Sequence, residues 1–165
     1  MKQDDLKKVN NHLKGIIGSQ GLIFGRAAGI AWVIFKSGDL EYALHLQCCF
    51  RIRDDTEIIV TNLEMFHPSE SALSEQSYDP STFHWDTQGA NRYDEWVKSL
   101  SPDLTRALTV VDARANSCGD LTILFEQNII LEAFVDCVTD ECWRLFEASP
   151  DSKHLVMLGS GPEKD

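Results

Sequence analysis

Apolar residues recur at helical spacing near the amino terminus, where Leu6, Val9, Leu13, Ile16 and Ile17 follow Asp4 and Asp5. Either aspartate can accept hydrogen bonds from the first free backbone amides, so the pattern predicts an amphipathic helix from about Asp5 to Ile17. Gly18 suits the left-handed turn that ends it. From Leu22 the residues become β-branched and are broken by Gly25 and Gly29, which predicts short strands at Leu22 to Ala27 and Ile30 to Lys36. Ser37-Gly38-Asp39 has turn chemistry. Glu41 to Arg53 then alternates cleanly, with Leu44, Leu46, Cys48, Phe50 and Ile52 on a core face and His45, Gln47, Cys49, Arg51 and Arg53 on a polar one. Asp54-Asp55-Thr56 closes a hairpin onto a strand at Glu57 to Thr61.

The segment from Glu64 to Gln88 holds Pro68, Pro80 and several serines with no sustained period, and is predicted as a long loop. A structureless stretch of that length is uncommon inside a compact domain and is usually functional or disordered. A second helix follows, capped by Asn91, with Tyr93, Trp96, Val97 and Leu100 on one stripe and Ser101-Pro102 as its stop. Strands are predicted again at Leu108 to Asn116, Leu121 to Glu126, Ile129 to Asp136, Cys142 to Glu147 and His154 to Leu158. Turns at Cys118-Gly119-Asp120, Gln127-Asn128 and Ser149-Pro150-Asp151 separate them, and the tail Gly159 to Asp165 is expected to fray.

These elements predict one α+β domain over residues 1–165, a mainly antiparallel β-sheet with two amphipathic helices. The halves 4–62 and 91–159 share an order: helix, strand, a Gly-Asp-Leu turn at Gly38-Asp39-Leu40 or Gly119-Asp120-Leu121, a Cys-bearing strand, an aromatic-Arg pair at Phe50-Arg51 or Trp143-Arg144, and a closing strand. This marks a candidate internal duplication of a helix plus β-meander unit.

Composition narrows the function. A chain of 165 residues with 43% hydrophobic side chains buries roughly 70% of its unfolded surface, which argues against disorder. Fifteen Lys and Arg stand against 26 Asp and Glu, a net charge of -11 that leaves no footprint for a phosphate backbone. The longest charge-free apolar stretches flank Arg26 and fall short of the roughly 20 residues that span a bilayer. Asp4 and Asp5 stand where a signal peptide would be basic, so a cytoplasmic protein is expected. All net acid lies after position 60: residues 1–60 carry +1, residues 61–105 carry -6 and residues 106–165 carry -6. Cys48, Cys49, Cys118, Cys137 and Cys142 form an odd set and are expected to be reduced. Cys137 and Cys142 have no second pair or neighbouring His to complete four zinc ligands, so no metal is expected.

Four segments together carry a resemblance. They are Tyr42-Ala43-Leu44-His45-Leu46-Gln47-Cys48-Cys49-Phe50-Arg51-Ile52, Phe83-His84-Trp85-Asp86, Gly119-Asp120-Leu121-Thr122-Ile123 and Glu141-Cys142-Trp143-Arg144-Leu145-Phe146. In these the chain resembles a family of small bacterial proteins of unknown function. The resemblance implies an immunity-like role and brings no catalytic set.

Two functional readings follow from the residues. The first is a non-enzymatic acidic interaction protein that binds a basic protein partner through Asp136, Asp140, Glu141 and Glu147, since an acidic surface speeds association with a basic one. The second is a small-ligand-binding or hydrolytic domain with a site between the polar strand face at His45, Gln47 and Arg51 and the loop at His84, Trp85 and Asp86. A Cys49–His45 dyad is excluded by the roughly 13 Å that four residues of strand span. Arg51 and Arg144 either grip an anion together or pair internally with Glu126, Glu132 and Asp136. No nucleotide, phosphate, hydrolase or zinc-protease motif is present, and no cofactor is expected.

Overall fold

The computed structural model describes residues 1–100, 108–149 and 152–164, so the predicted stop at Ser101-Pro102 and the turn residues Pro150-Asp151 lie outside the described residues. The chain begins with α1 (Gln3–Leu13) and a 3-10 turn at Lys14–Ile16, burying Val9, Leu13 and Ile16 as the spacing requires. Asp4 and Asp5 lie inside the first turn and Lys2 takes the capping position without a side-chain bond, so the two carboxylates act through the helix dipole. Gly18, at φ +84°, supplies the left-handed residue that lets the chain reverse into the sheet.

Among the described residues eleven strands then form two antiparallel sheets, the last of them short. They are β1 (Gln20–Ala27), β2 (Ile30–Ser37), β3 (Leu40–Leu46), β4 (Cys49–Arg53), β5 (Ile58–Thr61), β6 (Val110–Ala115), β7 (Leu121–Phe125), β8 (Ile130–Phe134), β9 (Glu141–Glu147), β10 (Leu155–Leu158) and β11 (Gly161–Pro162). The six-stranded sheet has the order β1-β2-β3-β9-β10-β11 and the five-stranded sheet β5-β4-β8-β7-β6. One apolar core lies between them, with Phe35 of β2 stacked on Phe125 of β7 at 6.4 Å and Trp143, Leu44, Leu121 and Ile123 fully buried. The expected α+β fold with mainly antiparallel sheet is the fold observed.

The alternation from Glu41 to Arg53 belongs to two strands. Leu46, Cys48, Phe50 and Ile52 all face inward, but the chain bends at Gln47-Cys48 and passes from one sheet to the other. A bend leaves the side-chain period intact, which is why the pattern did not reveal it. β8 and β9 make the reverse passage between Val135 and Asp140. The tail does not fray at once, because β11 pairs with β10 and Glu163 N–H donates to the Val156 carbonyl at 2.9 Å.

Exchanging β1–β5 with β6–β10 reproduces the strand order of both sheets. The register agrees: Phe50 faces Ala133 as Trp143 faces Leu46, which puts Phe50-Arg51 and Trp143-Arg144 in equivalent places. β1 is bulged between Gly21 and Ile23 and β6 between Val110 and Asp112, and the two strands meet at the Gln20–Thr109 bridge. The Gly-Asp-Leu turns do not correspond, since Gly38 lies between β2 and β3 whereas Gly119 lies between β6 and β7.

The segment 64–88 is more ordered than its composition predicts. It contains α2 (Glu70–Leu73), capped by Ser69 Oγ, and 3-10 turns at Asn62–Phe66 and Pro80–Thr82. α3 (Arg92–Ser99) follows, with Asn91 Oδ1 accepting from Asp94 N–H at 2.8 Å as the sequence predicts. Tyr93 is buried, and Trp96, Val97 and Leu100 pack against the core beside it.

Candidate functional site

Half of the predicted site residues, His45, Gln47, Asp136, Asp140 and Glu141, gather where the chain changes sheets. Gln47 N–H donates to the Cys142 carbonyl at 2.8 Å and Cys49 N–H to Asp136 Oδ2 at 2.9 Å, so the backbone donors of the first bend are satisfied by β9 and by the second bend. The bend between β8 and β9 is held from three directions. Val135 N–H donates to Asp120 Oδ1 at 2.8 Å, and the buried Trp143 Nε1–H donates to the Gly119 carbonyl at 2.9 Å. Gly159 backs the bend so closely that a Cβ there would sit 1.8 Å from the Cys137 carbonyl oxygen.

On the outer face of the six-stranded sheet, Glu141 accepts from Gln47 Nε2 at 2.7 Å and from Arg144 Nε at 3.0 Å. Arg144 also meets His154 Nδ1 at 3.1 Å, and the hydrogen bond from its guanidinium to Glu141 holds its pKa above the usual arginine value. The His45 ring stands edge-on to Phe146 at 5.1 Å, and His154 stacks on the same ring at 4.3 Å. Desolvation lowers the His45 pKa, helped by the positive charge of Arg144, which favours the neutral ring.

On the five-stranded sheet, Arg51 and Arg53 share Glu132 Oε2 at 2.8 and 2.9 Å, and the Arg51 guanidinium lies 5.4 Å from the Phe134 ring centre. Desolvation pushes Glu132 up, but the hydrogen bonds and charges of the two arginines outweigh it and hold the carboxyl low. Asp136 is held low by a hydrogen bond from the Cys49 thiol, which is itself pushed up by that contact. Burial pushes the Cys48 thiol up to about 12, which makes it an inert core group.

Of the four predicted acidic residues, Asp136, Asp140 and Glu141 meet at this crossover, while Glu147 lies at the far end of β9, facing Tyr42 in register. Asp136 and Asp140 are exposed, whereas Glu141 is spent on Gln47 and Arg144. The predicted ligand site divides. His45 and Gln47 share the Glu141–Arg144 cluster, but Arg51 belongs to the other sheet and is paired with Glu132, and Arg144 takes Glu141 rather than Glu126, Glu132 or Asp136. His84, Trp85 and Asp86 are exposed on the 64–88 segment. Trp85 packs on Phe66 at 5.1 Å, and His84 lines a shallow depression with Ser69, Glu75 and Tyr78.

The cysteines are not all reduced: Cys137 and Cys142 form a disulfide across the β8–β9 bend, leaving Cys48, Cys49 and Cys118 free. Three donor groups therefore gather on this bend, the Asp136 carboxylate and the two sulfurs. Their C-x-x-x-x-C spacing was the available signal.

Two further features escaped sequence reasoning. Arg26, noted there only as an interruption of apolar residues, is buried and forms a bidentate pair with Asp94, Nε and Nη2 each at 2.8 Å. A cleft of about 470 Å³ runs between α1 and the β10–β11 hairpin, lined by Lys8, His12, His154 and Glu163. No helix among the described residues is long and apolar enough to cross a membrane. Compared with family models, curated proteins and solved structures, the chain matches none.

Proposed function

We propose that this chain is a non-enzymatic, immunity-like interaction protein of the bacterial cytosol, which presents the acidic face around its sheet crossover to a basic protein partner. The observation that carries this reading is the pairing of its positive charge. Each described arginine, Arg26, Arg51, Arg53, Arg92, Arg114 and Arg144, has a carboxylate partner within the protein. Guanidinium forks are the groups best shaped to grip phosphate or carboxylate, and these are already committed to internal carboxylates. Asp136 and Asp140 stay in water on a rigid bend beside the exposed apolar side chains of Phe134 and Val138, 37% and 77% accessible. Apolar anchors rimmed by ionised carboxylates suit a surface rich in Lys or Arg, with the rim charges setting mainly the association rate.

The test is the double variant Asp136→Asn, Asp140→Asn, which spares Glu141 because its loss would strand Arg144. The immobilised chain is used to recover a basic protein from extract of its own host, and binding kinetics are followed across a salt series. The expected result is a folded variant with an on-rate lower by about tenfold at low salt and a shallower salt slope, with dissociation little changed. Failure to recover any basic protein, or identical on-rates for parent and variant, would falsify the reading.

A further inference from the structure

We propose that the β8–β9 bend is a redox-gated zinc site, in which the Cys137–Cys142 disulfide is the closed form and its reduction opens a donor set of two thiolates and one carboxylate for a single Zn²⁺. One oxygen of Asp136 and the two sulfurs already lie within 4.8 Å of one another. Two thiolates on one ion select a borderline-soft cation over Mg²⁺ or Ca²⁺, and a carboxylate is a regular third ligand of Zn²⁺. Four residues separate the cysteines, within the spacing of zinc-chelating pairs, and their Cα atoms are 6.8 Å apart, which leaves room for both sulfurs to turn onto a shared ion.

The frame is built before any metal arrives. Asp136 is aimed by the Cys49 N–H on Oδ2, the kind of outer contact that orients a ligating carboxylate. Cys142 is fully buried on β9, and the Cys137 backbone is backed by Gly159. The Asp140 carbonyl oxygen lies 2.9 Å from Cys137 Sγ, so a reduced thiol finds its acceptor in place. Val138, Thr139 and Asp140 are exposed, which leaves the fourth position of a tetrahedral ion open to water.

The chemistry balances as thiol–disulfide exchange with an external dithiol. One thiolate of the dithiol attacks Cys137 Sγ, the more accessible sulfur, and Cys142 leaves as thiolate and takes a proton. The second thiol of the reductant then displaces Cys137. Two electrons and two protons pass to the protein, and the reductant ends as its own disulfide. Zn²⁺ next replaces the two thiol protons, which are released to solvent. Such a pair suits a reducing compartment, where disulfides are transient and regulatory rather than structural.

The experiment uses the purified full chain with Cys49→Ser and Cys118→Ser, which removes the two exposed free thiols while the serine can still bond Asp136. Oxidised and dithiol-reduced samples, freed of reductant without oxygen, are titrated with Zn²⁺, and with Co²⁺ as a spectroscopic stand-in. The expected result is one equivalent of Zn²⁺ in the reduced chain only, with tetrahedral d–d bands and a sulfur-to-cobalt charge-transfer band in the cobalt form. Asp136→Asn should weaken zinc binding by at least about tenfold, and Cys137→Ser should abolish it. Circular dichroism checks each fold, and the exposed Asp136→Asn carries the test if Cys137→Ser misfolds. Equal uptake by both redox forms, no uptake by the reduced form, an indifferent Asp136→Asn, or a disulfide that a dithiol cannot reduce overturns the proposal. None of these readouts involves a protein partner, so they are independent of the interaction reading.

Discussion

At the scale of single residues, charge on the two sheets is arranged in closed sets, and Glu132 is the clearest of them. Its carboxylate serves Arg51 and Arg53 together, and its side chain is 19% accessible. Because its folded pKa lies below the ordinary glutamate value of 4.5, the stability it contributes is present above that value and is lost as pH falls through the depressed one. Glu132→Gln should therefore cost about 1 kcal/mol at pH 7, where the parent holds a charge-assisted pair, and less at pH 3, below the ordinary glutamate value. Urea unfolding of both proteins at the two pH values checks this, and a gap that stays constant with pH would show that the pair contributes no electrostatic stability. Glu132 was one of three carboxylates the sequence offered to Arg51, beside the alternative of a bound anion. The partner of Arg144 was not among them, because Glu141 precedes the predicted strand start at Cys142 and reaches Arg144 three residues on along β9.

At the scale of elements, the 64–88 segment shows how a stretch without periodicity can still be fixed. Its order comes from polar groups that reach across long sequence separations. Glu95 of α3 accepts from the backbone N–H groups of Glu70 and Ser71 at 2.8 and 3.0 Å, and Arg26 of β1 donates to the Thr87 carbonyl at 3.1 Å. Asp94 holds Gly89 N–H at 2.6 Å while it pairs with Arg26. Hydrophobic patterning carries no information about such contacts, so composition alone suggested a free loop. Arg26→Met should cost about 3 to 5 kcal/mol, since it leaves the Asp94 carboxylate buried and uncompensated. The same change should raise cleavage by a broad-specificity protease between Glu75 and Asp86, where the segment is held by little else. The double variant Arg26→Met, Asp94→Leu should recover part of the loss. Chemical denaturation and digestion time courses measure both effects, and a fully stable, equally resistant Arg26→Met would show that this pair does not anchor the segment.

At the scale of the whole molecule, α1, α3, most strand positions and the inward faces were readable because each rests on a local period of 3.6 or 2, whereas α2 was not. The passage between sheets was not, because a bend at Gln47-Cys48 preserves that period while redirecting the chain. The same property makes the two halves interdependent. Residues before the 64–88 segment supply β1–β3 to one sheet and β4–β5 to the other, and they meet the second half at β3–β9 and β4–β8, where Leu46 faces Trp143 and Phe50 faces Ala133. Trp143, buried without exposure, therefore has its shell completed by strands from the first half. A chain cut between Gln76 and Ser77, in exposed backbone outside the sheets, should yield fragments 1–76 and 77–165 that do not fold separately. Each alone would leave an apolar sheet face and an unpaired strand edge in water. Mixed, they should reassemble one to one and recover the β-sheet circular dichroism, slowly, because the central pairs close long loops. Gel filtration with dichroism measures this directly. If either fragment folds as a stable monomer, the halves are autonomous units and the crossover is not the joint that holds the molecule together.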